Sequence, residues 1–162
     1  MVELKIVKVE DIYEIRYKVL RPEALDISAA MFDGDLEATS IHFEAFVDGV
    51  AAGCLSIIRK SNPAFTEKIQ YQMRGLAVYA QFRNQGIAKA LIKLVEFHAF
   101  VNRKADRIWL NGRTSVMELY DKMNYEKTGE PFMIRNVCEH VLLSKKIENY
   151  KTCCCEVEIK KD

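Results

Sequence analysis

No run of apolar residues in this 162-residue sequence approaches the roughly 20 that a helix needs to span a bilayer. The opening Met1-Val2-Glu3-Leu4-Lys5-Ile6-Val7 is too short and too charged for a signal peptide, so a soluble, cytoplasmic protein with no membrane partner is expected. Zinc and disulfide signatures are also missing. The five cysteines, Cys54, Cys138 and the run Cys153-Cys154-Cys155, show no Cys-x-x-Cys pairing with histidine at zinc spacing, and an odd count does not fit a disulfide framework. They read as reduced thiols. Three adjacent side chains in a strand alternate faces and chelate poorly, so no metal is expected. Neither Gly-x-Gly-x-x-Gly nor Gly-x-x-x-x-Gly-Lys-Ser/Thr occurs, which argues against the common nucleotide-binding α/β domains. A net charge of +1 gives no reason to expect nucleic acid as a partner.

A local absence says more. Asp and Glu supply 23 of the 162 residues, so about four would fall between Lys68 and Val95 at uniform density. None does, while Lys68, Arg74, Arg83, Lys89 and Lys93 lie there. Such a stretch favours an anion. Within it, Leu76 and Val78 suit a strand, the polar run Gln81 to Gln85 breaks it, and helix formers take over at Ala88. A helix starting near Gln85 or Gly86 presents unpaired amides and its positive dipole end, and Gly86 lets a phosphate approach the backbone.

What is present otherwise, 49% hydrophobic and 29% charged residues, fits one globular domain over 1–146. A lysine-rich extension, 147–162, follows, with an alternating Glu156-Val157-Glu158-Ile159 and no assigned element. Val2, Leu4 and Ile6 alternate as a first strand; Glu10 to Leu20 reads as an amphipathic helix stopped by Arg21-Pro22; residues 22–39 read as a loop with a helical turn. Ser40 to Val47 alternates, with Ile41, Phe43, Ala45 and Val47 on an apolar face and His42, Glu44 and Phe46 opposite. Asp48-Gly49 then marks a hairpin into Val50 to Ile58. Ile69 to Val78 leads into the acid-free turn. On the helix after it, Lys89, Lys93, Glu96 and Arg103 form a polar stripe and the remaining surface is apolar, as in a helix buried against a sheet. Ile108 to Asn111 reads as a buried strand, so strand, helix and strand make a parallel crossover. Ser115-Val116-Met117-Glu118 fits a capping box opening a short helix that carries Tyr120 on its apolar stripe. Tyr125 to Thr128 and Val137 to Ser144 read as a closing pair of strands around Gly129-Glu130-Pro131.

Arg83-Asn84-Gln85-Gly86-Ile87-Ala88 after the Leu76-Ala77-Val78 strand end, together with Leu119-Tyr120-Asp121-Lys122-Met123-Asn124-Tyr125, resembles the GCN5-related N-acetyltransferases (GNAT superfamily) over roughly residues 2–146. Val19-Leu20-Arg21-Pro22, the strand with His42, and Asn111 to Arg113 followed by Tyr120 resemble its bacterial ElaA-like branch. The resemblance implies an α/β fold: a central, mixed, twisted sheet of about six to seven strands with helices on both faces. It implies transfer of an acetyl group from acetyl-CoA to a primary amine, small molecule or peptide, by direct attack in a ternary complex, in a monomer or homodimer.

By the same resemblance, backbone of Leu76, Ala77 and Val78 would pair with the pantetheine arm and the N–H groups from Arg83 through Asn84, Gln85, Gly86, Ile87 and Ala88 to Lys89 would bind the pyrophosphate. Tyr120 takes the general-acid position. Glu44, His42 and His140 are the candidate bases, while His98 reads as structural. The chain departs from the family where many members carry Asn seven residues before the tyrosine: Arg113 stands there, with Asn111 two residues earlier, and by the resemblance both are expected to bind the cofactor. Asn124-Tyr125 replaces Gly-Phe, which a left-handed Asn accommodates. The alternative is a non-catalytic acyl-CoA-binding module of the same fold. Loss of Tyr120 would be its mark.

Overall fold

A computed structural model describes residues 1–134 and 138–151. Seven strands form one mixed sheet in the order β1-β2-β3-β4-β5-β7-β6: β1 Val2–Val7, β2 Ile41–Val47, β3 Val50–Arg59, β4 Gln70–Val78, β5 Arg107–Arg113, β6 Glu126–Ile134 and β7 Cys138–Lys146. The helices are α1 Val9–Leu20, α2 Ile87–Glu96 and α3 Met117–Asp121. Among the described residues the chain divides into two compact units, one built from Met1–Ile58 and Gly75–Val95, the other from Arg59–Arg74 and residues 96–151. No helix among the described residues is long and apolar enough to cross a membrane. Cys153-Cys154-Cys155 and most of the C-terminal extension lie outside the described residues.

In the first unit the hairpin forms as its sequence dictates. Asp48 and Gly49 have φ of 48° and 82°, the two left-handed residues that a two-residue turn between twisted strands requires, and Val47 pairs with Val50. Asp11 accepts the Lys8 N–H at 3.0 Å and caps α1. Val9, Ile12 and Ile15 of this helix are buried against Cys54 and Ala77 of the sheet, each side chain worth about 1.5–3 kcal/mol. Glu44 pairs in register with Cys54, so the face of β2 opposite its apolar row is the one α1 covers. His42 and Glu44 are therefore buried, at 7% and 5% exposure, and not solvated as their polarity implies. The other face meets α2: a Cβ on Gly53 would stand 3.1 Å from the Ile87 side chain and 3.0 Å from the Ala77 carbonyl.

In the second unit β4 and β5 run parallel, as a crossover requires, from Gln70↔Arg107 to Gln72↔Trp109. Arg107 grips Glu67 bidentately at 3.0 and 2.7 Å, bonds Ser144 Oγ at 2.6 Å and stacks 4.1 Å over Phe65. That grip pulls the Glu67 carboxyl down to about 2. Trp109 Nε1 donates to the Lys60 carbonyl at 2.8 Å, so both bonds pin the polar loop before β4.

Four local expectations are corrected. Glu96 does not share the solvent with Lys89 and Lys93: it is 3% exposed, because Lys145 of β7 covers that end of the stripe and pairs with it at 2.9 Å. After Glu96 the helix widens into a π segment, Phe97–Asn102, with Arg103 N–H bonding the His98 carbonyl five residues back. The short helix begins at Met117, and no side chain caps it; Ser115 lies in a preceding 3₁₀ turn, Thr114–Val116. Gly129-Glu130-Pro131 is not the closing turn. It lies within β6 at a register shift between Thr128 and Phe132, where proline needs no ladder partner and Gly129 takes φ 73°.

Candidate active site

Along β4, Gly75 has φ 72°, and a Cβ there would lie 3.0 Å from Arg16 Nε and 3.2 Å from the Phe32 ring. Glycine is required at this kink on both counts. The strand then passes Leu76, Ala77 and Val78 into a 3₁₀ turn, Ala80–Phe82. Arg83 Nε returns to the Val78 carbonyl at 3.2 Å, and Gln85 Nε2 to the Gln81 carbonyl at 3.1 Å, so side chains of the polar run brace it. Asn84 and Gly86 take φ of 61° and 80°, and a Cβ on Gly86 would meet nothing within 4 Å. The first helical bond of α2 runs from Ala90 N–H to the Gly86 carbonyl at 3.0 Å. The amides of Ile87, Ala88 and Lys89 precede it. A left-handed turn with open space at its glycine and helix-start amides beside it is a cradle for a phosphate group, and the residues present fit one.

Behind Gly75 lies a buried polar cluster that sequence reasoning missed. Arg16 of α1, fully buried, holds Asp35 at 2.6 and 3.2 Å, the Ala30 carbonyl at 3.2 Å and Ser56 Oγ at 2.8 Å, and stacks 4.4 Å from Phe32. The signal was an arginine set among the buried Ile12 and Ile15 positions of α1. His42 joins the cluster: Nε2 lies 2.9 Å from the Asp35 carbonyl and Nδ1 2.8 Å from Ser56 Oγ. A carbonyl only accepts, so Nε2 carries a proton, and the Ser56 hydroxyl engages Nδ1. The ring thus has both nitrogens engaged, fastening residues 30–35 to β2 and β3.

Glu44, two residues along β2, has no hydrogen bond among the described residues. Burial, and then the neighbouring Asp11 charge, push its carboxyl up to about 7. Beside it in register, burial pushes the Cys54 thiol up to about 12, which keeps it inert.

In the second unit Tyr120 of α3 is 4% exposed, and burial raises its hydroxyl well above the usual tyrosine value, so it keeps its proton. Its ring meets Tyr125 edge-on at 5.7 Å. A Cβ on Gly112 would lie 3.5 Å from Tyr120 Cε2, which places Tyr120 on the Gly112 face of β5. Asn111 and Arg113 flank Gly112 and point to the opposite face, and Arg113 pairs in register with His140 of β7. His140 stacks on Phe132 at 6.5 Å, and its Nδ1 lies 2.7 Å from the Cys138 carbonyl. Nδ1 therefore carries a proton, and Nε2 lies 3.8 Å from Cys138 Sγ. Tyr120 and His140 stand on opposite faces of the β5–β7 pair.

The model of the Acetyltransferase (GNAT) family matches residues 6–125. The chain belongs to that family. A GNAT relative, an uncharacterized N-acetyltransferase of Bacillus subtilis named YitI, is 33% identical over 147 residues, 91% of this chain and 97% of its own. The crystal structure of Escherichia coli ElaA superposes with a TM-score of 0.73 at 11% identity, covering 90% of this chain and all of ElaA. A spermidine N-acetyltransferase SpeG chimera from Vibrio cholerae and hSSAT gives 0.65 at 12% identity, covering 90% of this chain and 96% of that one. Those two likenesses concern the GNAT fold, which the seven-stranded mixed sheet shares. Membership makes this protein an acyltransferase.

Proposed function

We propose that the protein moves an acetyl group from acetyl-CoA to a primary amine by direct attack of the amine on the thioester. The observation that carries this reading is the turn from Arg83 to Lys89, with left-handed Asn84 and Gly86, open space at the glycine and no carboxylate from Lys68 to Val95. Acetyl-CoA supplies the activated acyl group. The amides of residues 83–89 hold its pyrophosphate, and backbone of Leu76, Ala77 and Val78 orients the pantetheine arm.

The chain's remaining work is proton transfer. An amine must be neutral to attack, and a thiolate leaves more easily when it is protonated. Tyr120 gives that proton: its raised value keeps the hydroxyl neutral across the physiological range. The amine proton goes to His140 Nε2 or to the Glu44 carboxylate, directly or through water. His42 is set aside, since both its nitrogens are occupied. Because Tyr120 and His140 stand on opposite sheet faces, His140 can serve the carbonyl that Tyr120 serves only through intervening water. Asn111 and Arg113, on the His140 side of β5, contact the cofactor in this reading. The acceptor is a small amine or a peptide amine.

Calorimetric titration with acetyl-CoA, with NAD as control, tests the cradle, and thiol release across a panel of amines tests transfer. Micromolar binding and amine-dependent release support the reading. A folded protein that binds neither acetyl-CoA nor CoA refutes it. Glu44→Gln and His140→Asn separate the bases, since the true one, when removed, flattens the acidic limb of kcat/KM.

A further inference from the structure

Lys145 and Glu96 form an ion pair almost wholly out of water, with side-chain exposures of 6% and 4% and a separation of 2.9 Å. A buried pair of this kind adds little net stability over an apolar pair of the same volume, and in some proteins such pairs fix one arrangement over others. The other bonds of the ammonium show what this pair holds. Lys145 Nζ donates to the Met123 carbonyl at 2.9 Å, just past α3. That turn closes on Tyr120 itself: the N–H groups of Met123 and Tyr125 both bond the Tyr120 carbonyl at 3.0 Å, with Asn124 at φ 61° between them.

A second connection runs through the rings. The Lys145 ammonium lies 5.5 Å from the Tyr125 ring centroid, and Tyr125 meets Tyr120 edge-on at 5.7 Å and 72°. The Tyr125 hydroxyl is buried on the side of Glu96. Burial first, and then the Glu96 carboxylate, keep the Tyr125 proton on. Glu96 stands where α2 gives way to the π segment, a change of helix that often accompanies functional positions.

We propose that the Lys145–Glu96 pair is a positioning device for catalysis: by holding the Met123 carbonyl and the Tyr125 ring, it fixes the direction in which Tyr120 presents its hydroxyl. This rests on Tyr120 as the general acid. Neither Lys145 nor Glu96 touches substrate in this role.

The test uses the full chain, with amine-dependent thiol release from acetyl-CoA and 13C NMR of tyrosine rings. Lys145→Met keeps the stem and removes the charge. It is expected to lower kcat ~10- to 100-fold, as a small misplacement of a reacting group does, with KM for acetyl-CoA nearly unchanged. In a Tyr120→Phe background the same substitution is expected to cost nothing further, and Lys145→Arg to recover part of the rate. The Tyr120 and Tyr125 ring signals should shift or broaden in Lys145→Met. Should that variant fail to fold, Glu96→Leu/Lys145→Met removes both charges together and carries the same comparisons. An unchanged kcat, a loss that adds to that of Tyr120→Phe, or unmoved ring signals overturns the proposal and leaves the acid assignment standing. A Tyr120→Phe enzyme as fast as wild type overturns the acid assignment first and the positioning role with it.

Discussion

Glu44→Gln offers a quantitative check on the buried face of β2. The folded carboxyl titrates at about 7 and the unfolded one near the ordinary 4.5. Below about 4.5 both states are protonated, and a neutral acid under α1 costs little. Between 4.5 and 7 the unfolded chain gives up its proton while the folded chain keeps it, so stability falls as pH rises and levels off above the folded value. At about 1.36 kcal/mol per unit over about 2.5 units, Glu44 costs roughly 3 kcal/mol at pH 8 relative to pH 4. Glutamine has the same shape and no proton to lose. The difference in unfolding free energy between Glu44→Gln and wild type should therefore grow by roughly 3 kcal/mol across that range, about 6–12 °C in Tm for a chain of this size. Urea unfolding and thermal melts of both proteins at intervals from pH 4 to 8.5 measure it. Parallel pH curves would refute the reasoning, because they would mean that Glu44 ionises in the folded protein as freely as in water.

Gly86→Glu should abolish acetyl-CoA binding in calorimetry, since it puts charge and bulk into the open space of the cradle; the left-handed φ of 80° adds a strain of about 1–2 kcal/mol that thermal melting will register. Tyr120→Phe should lower kcat by roughly 10²-fold or more while acetyl-CoA affinity stays put, the pattern of a lost proton donor and not of a lost contact. Arg16→Met should destabilise by about 3–5 kcal/mol in urea, because it removes the guanidinium that holds the buried Asp35 carboxylate; Arg16→Met/Asp35→Leu should recover most of the loss.

Much of the fold is legible in the residues, because those features depend on neighbours within a few positions. Asp48-Gly49 can form a tight hairpin anywhere it falls between alternating strands, and Arg83 to Ala88 sets a turn and a helix start through local φ preferences and unpaired amides. The strand, helix and strand from Ile69 to Asn111 could pair in parallel in few other ways. Misreadings occur where a distant element decides. Gly129-Glu130-Pro131 has the composition of a turn, yet β7 pairs with residues on both sides of it and draws it into β6. Glu96 shares a helix stripe with Lys89 and Lys93, yet Lys145, forty-nine residues on, covers it.

The candidate site divides in the same way. Residue type and local order alone determined the left-handed turn from Arg83 to Lys89, the acid-free stretch around it and the tyrosine on a short helix. Which groups can take a proton was decided only by tertiary structure. Protonation depends on burial and on partners that the fold brings from far along the chain: α1 closing over Glu44, the Asp35 carbonyl and Ser56 occupying both nitrogens of His42, and the Cys138 carbonyl holding a proton on His140 Nδ1.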